Sequence, residues 1–128
     1  MKKQIIVTML LAATRGTVSP SMKAEAKWRA DANGRWYTIK AAPGYAVGWK
    51  QIGKYTYYFE KNKYAVTGWK LIDKKWYYFD KNSSEKVRSE KREIDGSMYY
   101  FDSEGEMLTG TLRNTNEGVI YADESGRL

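Results

Sequence analysis

The chain has 128 residues, 15% of them aromatic and none of them cysteine or histidine. Its 22 basic and 15 acidic side chains give a formal charge of +7 at pH 7, which permits a polyanionic partner without requiring one. The missing residue types exclude disulfide cross-links, the usual imidazole and thiolate zinc ligands, and any nucleophile that depends on a histidine base.

The N-terminus opens with Lys2 and Lys3, followed by the apolar run Ile5 to Ala13. A polar Ser19-Pro20-Ser21 stretch comes next, then the small-x-small triplet Ala24-Glu25-Ala26. These parts in this order are expected to form a secretory signal peptide over residues 1–26. The apolar run is too short to cross a bilayer as a helix. The expected mature chain, residues 27–128, carries a net charge of about +4. It is expected to be secreted or held at the cell surface, with no membrane contact after cleavage.

From Trp49 onward the sequence repeats itself. Trp49-Lys50 returns as Trp69-Lys70, Ile52 as Ile72, Tyr57-Tyr58-Phe59 as Tyr77-Tyr78-Phe79, and Asn62 as Asn82, each 20 residues later. A fixed period of this size signals a repeat array, in which each unit buries its apolar face only by stacking on its neighbours. Within a repeat, an opening Trp-Lys leads to a turn and then to an aromatic strand (Thr56 to Phe59, Trp76 to Phe79). A polar turn and a short returning strand follow. Bulky rings favour a pleated surface, so each repeat reads as a β-hairpin.

The first copy, Trp28 to Gly48, is looser. Asn33-Gly34 signals its turn, and Thr38 and Ile39 stand where later copies have Tyr and Phe. The charged segment Ser83 to Glu93 interrupts the rhythm and reads as a loop with a weakened opening strand. The pattern resumes at Asp95 and its Tyr99-Tyr100-Phe101 lies 22 residues after the preceding copy. A partial copy from Gly118 to Leu128 reads as a capping repeat. The fold expected is all-β, a solenoid of stacked β-hairpins built from repeats of about 20 residues.

These repeats approximate the pattern Gly-Trp, four residues, Gly or Asp, two residues, Trp-Tyr-Tyr-Phe, Asp or Glu, then Gly-x-Met-x-Thr-Gly. The best copies are Gly48-Trp49, Gly68-Trp69, Trp76-Tyr77-Tyr78-Phe79, and Tyr99 to Asp102 with Gly105-x-Met107-x-Thr109-Gly110. The pattern resembles the cell-wall-binding, choline-binding repeats of Gram-positive surface proteins and the related glucan-binding and toxin repeats. The resemblance covers nearly all of residues 28–128. It implies a non-catalytic module that needs no cofactor or metal and holds choline of a teichoic acid in aromatic boxes between hairpins. A quaternary ammonium gains from the negative faces of several rings, which suits such a box.

On the alternating faces of a strand, Trp76 and Tyr78 share one side and Tyr77 and Phe79 the other. The most complete candidate box takes Trp49, Tyr57, Trp69, Trp76 and Tyr77. A second takes Trp28, Trp36, Trp49 and Tyr57. Ser89 and Thr111 stand at the opening position of the fourth and fifth copies, and Met98 replaces the strand tryptophan, so no box is expected beyond the third repeat.

Other readings compete. Rings are the core material of small β proteins, and Tyr58, Phe59, Tyr78, Phe79, Tyr100 and Phe101 are expected to fill the interior. The recurrent acids Asp73, Asp80, Asp102 and Asp123 stand at turns, where carboxylates accept backbone hydrogen bonds, rather than as a hydrolytic pair. Lysines among the rings could contact a single-stranded nucleic acid. Export and the hairpin pattern argue for edge protection instead, or for teichoic acid phosphates. The function alternatives are a glucan or host-glycan module, a structural or adhesive surface protein, and the targeting end of an enzyme, which a signal peptide directly before the repeats disfavours. A homodimer through the C-terminal repeats is a further expectation.

Overall fold

Two-residue turns define the architecture. Asp73 and Lys74 adopt φ values of 50° and 69°, and Asp95 and Gly96 adopt 50° and 86°, the doubly left-handed geometry whose twist matches that of paired strands. In the computed structural model, which describes residues 26–128, two-residue turns of this and other geometries close five two-stranded antiparallel hairpins. These are β1 (Trp28–Asp31) with β2 (Gly34–Tyr37), β3 (Gly48–Ile52) with β4 (Tyr55–Phe59), and β5 (Gly68–Ile72) with β6 (Lys75–Phe79). Then come β7 (Glu90–Ile94) with β8 (Ser97–Phe101), and β9 (Thr111–Thr115) with β10 (Gly118–Ala122). The signal-peptide expectation falls almost wholly outside the described residues.

The chain forms two compact units, one ending at Ala46 and the other spanning Val47–Leu128. The first holds hairpin β1–β2. The second holds the other four hairpins, stacked as the solenoid the period implied.

Register shows why the repeats align as they do. Trp49 pairs with Tyr58, Trp69 with Tyr78, Lys91 with Tyr100, and Leu112 with Tyr121. The residues at the opening-tryptophan position are therefore Lys91 and Leu112, not Ser89 and Thr111. The two residues added before Lys91 explain the first difference. One lengthens the turn, since the Asp80 N–H bonds to the Glu85 carbonyl where that of Glu60 bonds to Tyr64. The other lies between Val87 and Glu90. In the first repeat Trp28 pairs with Tyr37 and Trp36 with Arg29, so Tyr37 and Thr38, not Thr38 and Ile39, match the later Tyr-Phe. The expected weak opening strand after Ser83 is in fact a full one, β7.

The returning strand is shorter than expected. Beyond each polar turn it amounts to a single bridge: Phe59 to Ala65, Phe79 to Lys86, Phe101 to Met107. The backbone then turns to the hairpin before it. The N–H groups of Lys86, Met107 and Leu128 donate to the carbonyls of Thr56, Trp76 and Met98 at 2.8, 2.9 and 2.9 Å. These three equivalent bonds set the stacking register. Ion pairs repeat with it: Lys70 to Glu60 at 2.8 Å and Arg92 to Asp80 at 3.3 Å join matching positions of successive repeats.

The core is one position repeated. Phe59, Phe79 and Phe101 are fully buried, and each such ring contributes roughly 1.5–3 kcal/mol through burial. Tyr78 and Tyr100 are buried beside them, with Val66, Ile72, Val87, Ile94 and Leu108. In the last hairpin the phenylalanine position holds Ala122, also buried, while Leu112, Val119 and Tyr121 stay exposed. That hairpin contributes little packing of its own, as a decayed cap should.

The recurring acids hold the turns. Asp80 Oδ1 accepts the N–H groups of Asn82 and Ser83, Asp102 Oδ1 those of Glu104 and Glu106, and Asp123 Oδ1 those of Ser125 and Arg127. The backbone N–H groups of Ser83 and Asn82, with Arg92, hold the Asp80 carboxyl below its ordinary value.

Candidate functional site

Hairpins β3–β4 and β5–β6 each present their opening tryptophan to the face of the hairpin that follows. Trp49 meets Tyr58 of its own hairpin at 5.1 Å, and Tyr77 and Phe79 of the next at 4.9 and 5.9 Å. One repeat later, Trp69 meets Tyr78 at 5.2 Å, then Tyr99 and Phe101 at 4.9 and 5.8 Å. The tyrosines stand edge-on to the tryptophan at interplanar angles of 73–77°, a favoured arrangement for ring quadrupoles. The two clefts share one construction because the stacking register repeats.

They differ at three positions, one of them Ser125, whose place in the preceding repeat is taken by Glu104. The cleft at Trp69 is walled by Trp76, perpendicular to it at a centroid distance of 6.1 Å. It measures about 260 Å³ and is lined by Trp69, Trp76, Tyr99, Met107 and Ser125. In the cleft at Trp49, Thr56 takes the place of Trp76 and Lys86 that of Met107. There the Lys86 ammonium lies 5.0 Å from the Trp49 ring centroid and 5.8 Å from that of Tyr77. Burial pushes the Lys86 ammonium below the ordinary lysine value, against the opposing pull of Glu104. Burial, with the negative charges of Glu106 and Asp102, raises the Tyr77 phenol.

The lining of the Trp69 cleft decides what it can hold. Its serine hydroxyl is already engaged: Ser125 Oγ donates to Asp123 Oδ1 at 2.6 Å and accepts from Arg127 Nε at 3.2 Å. What remains is three ring systems and a thioether. Such a lining attracts a cation that lacks hydrogen-bond donors. Two larger clefts, of about 420 and 370 Å³, are lined by charged groups of both signs, including Lys54, Asp80 and Arg92 in one and Lys75, Glu106 and Arg113 in the other.

The structure divides the five-residue box expected from sequence. Trp69 and Trp76 share one cleft, Trp49 and Tyr77 the preceding one. Tyr57 belongs to neither; it pairs with Lys50 on the opposite hairpin face and is buried, its ring 6.3 Å from Phe59. In the other compact unit, Trp28 and Trp36 occupy opposite faces of β1–β2 by register, so they cannot wall one box together. Arg35 lies over Trp28, its guanidinium carbon 4.4 Å from the ring centroid.

Tyr99 and Met107 were missed because the fourth repeat lacks its tryptophans. A repeat contributes to the box of the hairpin before it, however, and for that only its tyrosine and methionine matter. The Gly105-x-Met107 motif carried the signal. Among the described residues no cluster of His, Cys, Asp or Glu could hold a metal ion, and no helix is long and apolar enough to cross a membrane.

Residues 46–90 match the choline-binding repeat family and residues 92–107 the putative cell wall binding repeat family. No curated protein sequence matches the chain. Among solved structures, choline-binding protein F of Streptococcus pneumoniae, determined with a peptidoglycan analogue, is 22% identical with a TM-score of 0.69, over 80% of this chain and 33% of its own. CbpJ of Streptococcus pneumoniae TIGR4 is 24% identical with a TM-score of 0.71, over 80% and 35%. The pneumococcal cell wall endolysin of phage Cp-1, solved with choline, is 24% identical with a TM-score of 0.60, over 87% and 35%. The chain thus spans about a third of the length of these proteins, and they share its fold. By sequence match, the stretch from residue 46 to residue 107, which holds hairpins β3–β4, β5–β6 and β7–β8, is made of choline-binding, cell-wall-binding repeats.

Proposed function

We propose that this cell-wall-binding module recognises choline of a teichoic acid through the cleft formed by Trp69, Trp76, Tyr99 and Met107. The observation that carries this reading is the lining: three aromatic side chains, a thioether, and a serine hydroxyl already engaged. A trimethylammonium group has no donor to satisfy, and each ring it meets offsets part of its lost hydration. The module acts by binding, without chemistry of its own, and any exported anchoring role follows from attachment to the polymer. One box holds one headgroup, so firm attachment requires several boxes or several chains on one polymer.

Tryptophan fluorescence titrated with choline, beside dextran and sodium chloride, tests the proposal. A saturable change with choline, absent in a folded Trp69→Ala variant, is the expected result. A response to dextran alone would move the site to glycan binding, and silence to both would overturn the small-ligand reading.

A further inference from the structure

The cleft at Trp49 repeats the geometry of the cleft at Trp69, yet its ring faces already carry a cation. Three features hold Lys86 there. Its stem passes Gly105 so closely that a Cβ at that glycine would lie 2.7 Å from Lys86 Cδ. Its Nζ donates to the Glu104 carbonyl at 2.7 Å. Its backbone N–H is tied to the Thr56 carbonyl of the preceding hairpin. The ammonium therefore sits within about 6 Å of two ring centroids, the range over which ring quadrupoles attract a cation.

We propose that Trp49 and Tyr77 form a second aromatic box whose resident cation is the chain's own Lys86, and that Lys86 closes this box to external quaternary ammonium groups. Occupancy by Lys86 stands on geometry alone; closure rests on the choline reading of the Trp69 cleft. The same position in the next repeat holds Met107, a neutral side chain that also passes a glycine, Gly126. The exchange of Met for Lys is thus the difference between a lined box and a filled one. Thr56, standing where the next repeat has Trp76, removes one wall, and Lys86 covers the rings that this wall would have flanked.

Two measurements on the full chain separate occupancy from closure. In carbon–proton NMR, the ε-methylene of Lys86 is expected upfield of the other lysines through ring currents, and to return toward them in Trp49→Leu. An unshifted signal in the wild type, or one that Trp49→Leu leaves in place, overturns the occupant. Calorimetric titration with choline is expected to give one equivalent for the wild type and two for Thr56→Trp/Lys86→Met. An unchanged equivalent in the folded double variant overturns closure. If that variant fails to fold, Lys86→Met alone is expected to show a second, weaker equivalent, and its absence likewise overturns closure. If the wild type binds no choline, the Trp69 reading and closure fall together, and the NMR shift still decides the occupant.

Discussion

Lys86 and Met107 are the same position in consecutive repeats: the Lys86 N–H meets the Thr56 carbonyl at 2.8 Å and the Met107 N–H meets the Trp76 carbonyl at 2.9 Å. The backbone that locks one hairpin onto another therefore also delivers a side chain into the cleft between them. Stability and recognition share this joint, so substitutions can be sorted by which of the two they disturb.

Trp76→Ala removes a wall of the proposed choline box while disturbing little else, because the Trp76 ring is 42% exposed. The choline titration midpoint is expected to rise by about tenfold, the equivalent of one strong cation–ring contact of roughly 1.4 kcal/mol. The urea midpoint should change little, in keeping with a cost of about 1 kcal/mol or less. Measuring both on the same preparation separates a lost wall from a lost fold.

Phe79→Ala should do the opposite. The ring is 0% exposed and packs with Val66, Ile72 and Tyr77, and such truncations cost about 3–5 kcal/mol. Chemical denaturation is expected to show a large fall in stability or an unfolded chain. A loss under about 1 kcal/mol would contradict the packing of this phenylalanine column.

Gly126→Ala tests the glycine beneath Met107. The backbone there has a φ of +92°, and a Cβ would come within 2.6 Å of Met107 Cε and Sδ. Left-handed strain of about 1–3 kcal/mol is expected in thermal unfolding. The flexible thioether must also swing aside, so choline affinity should drop several-fold in the protein that remains folded.

Acid should weaken the fold through Asp80. Its carboxyl is held below the ordinary aspartate value by the N–H groups of Ser83 and Asn82 and by Arg92. A depressed carboxylate stabilises the fold above the unfolded value, and that contribution is lost as pH falls through the folded one. Asp80→Asn keeps an acceptor oxygen but cannot carry the charge. The stability gap between wild type and Asp80→Asn, followed by urea denaturation, is therefore expected to shrink between about pH 5 and pH 2.

Much of this architecture is legible in the sequence. A 20-residue period of Trp and Tyr-Tyr-Phe implies hairpins that stack, because side chains alternate along a strand and no single hairpin can bury both faces. The buried column Phe59, Phe79, Phe101 and the turn role of Asp80, Asp102 and Asp123 follow from the same local rules. Membership of the cleft is not legible there. Trp49 and Tyr57, like Trp69 and Tyr77, lie on opposite faces of their own hairpin, so each of these tryptophans meets the tyrosine of the following hairpin, Tyr77 or Tyr99, and not the one next to it in its own repeat. That distinction depends on which hairpin stacks on which face, a non-local relationship set by the bonds from Lys86 to Thr56 and from Met107 to Trp76. The period specified the hairpins because the backbone's alternation is local; only the stack could place a lysine over one tryptophan and leave a thioether beside the next.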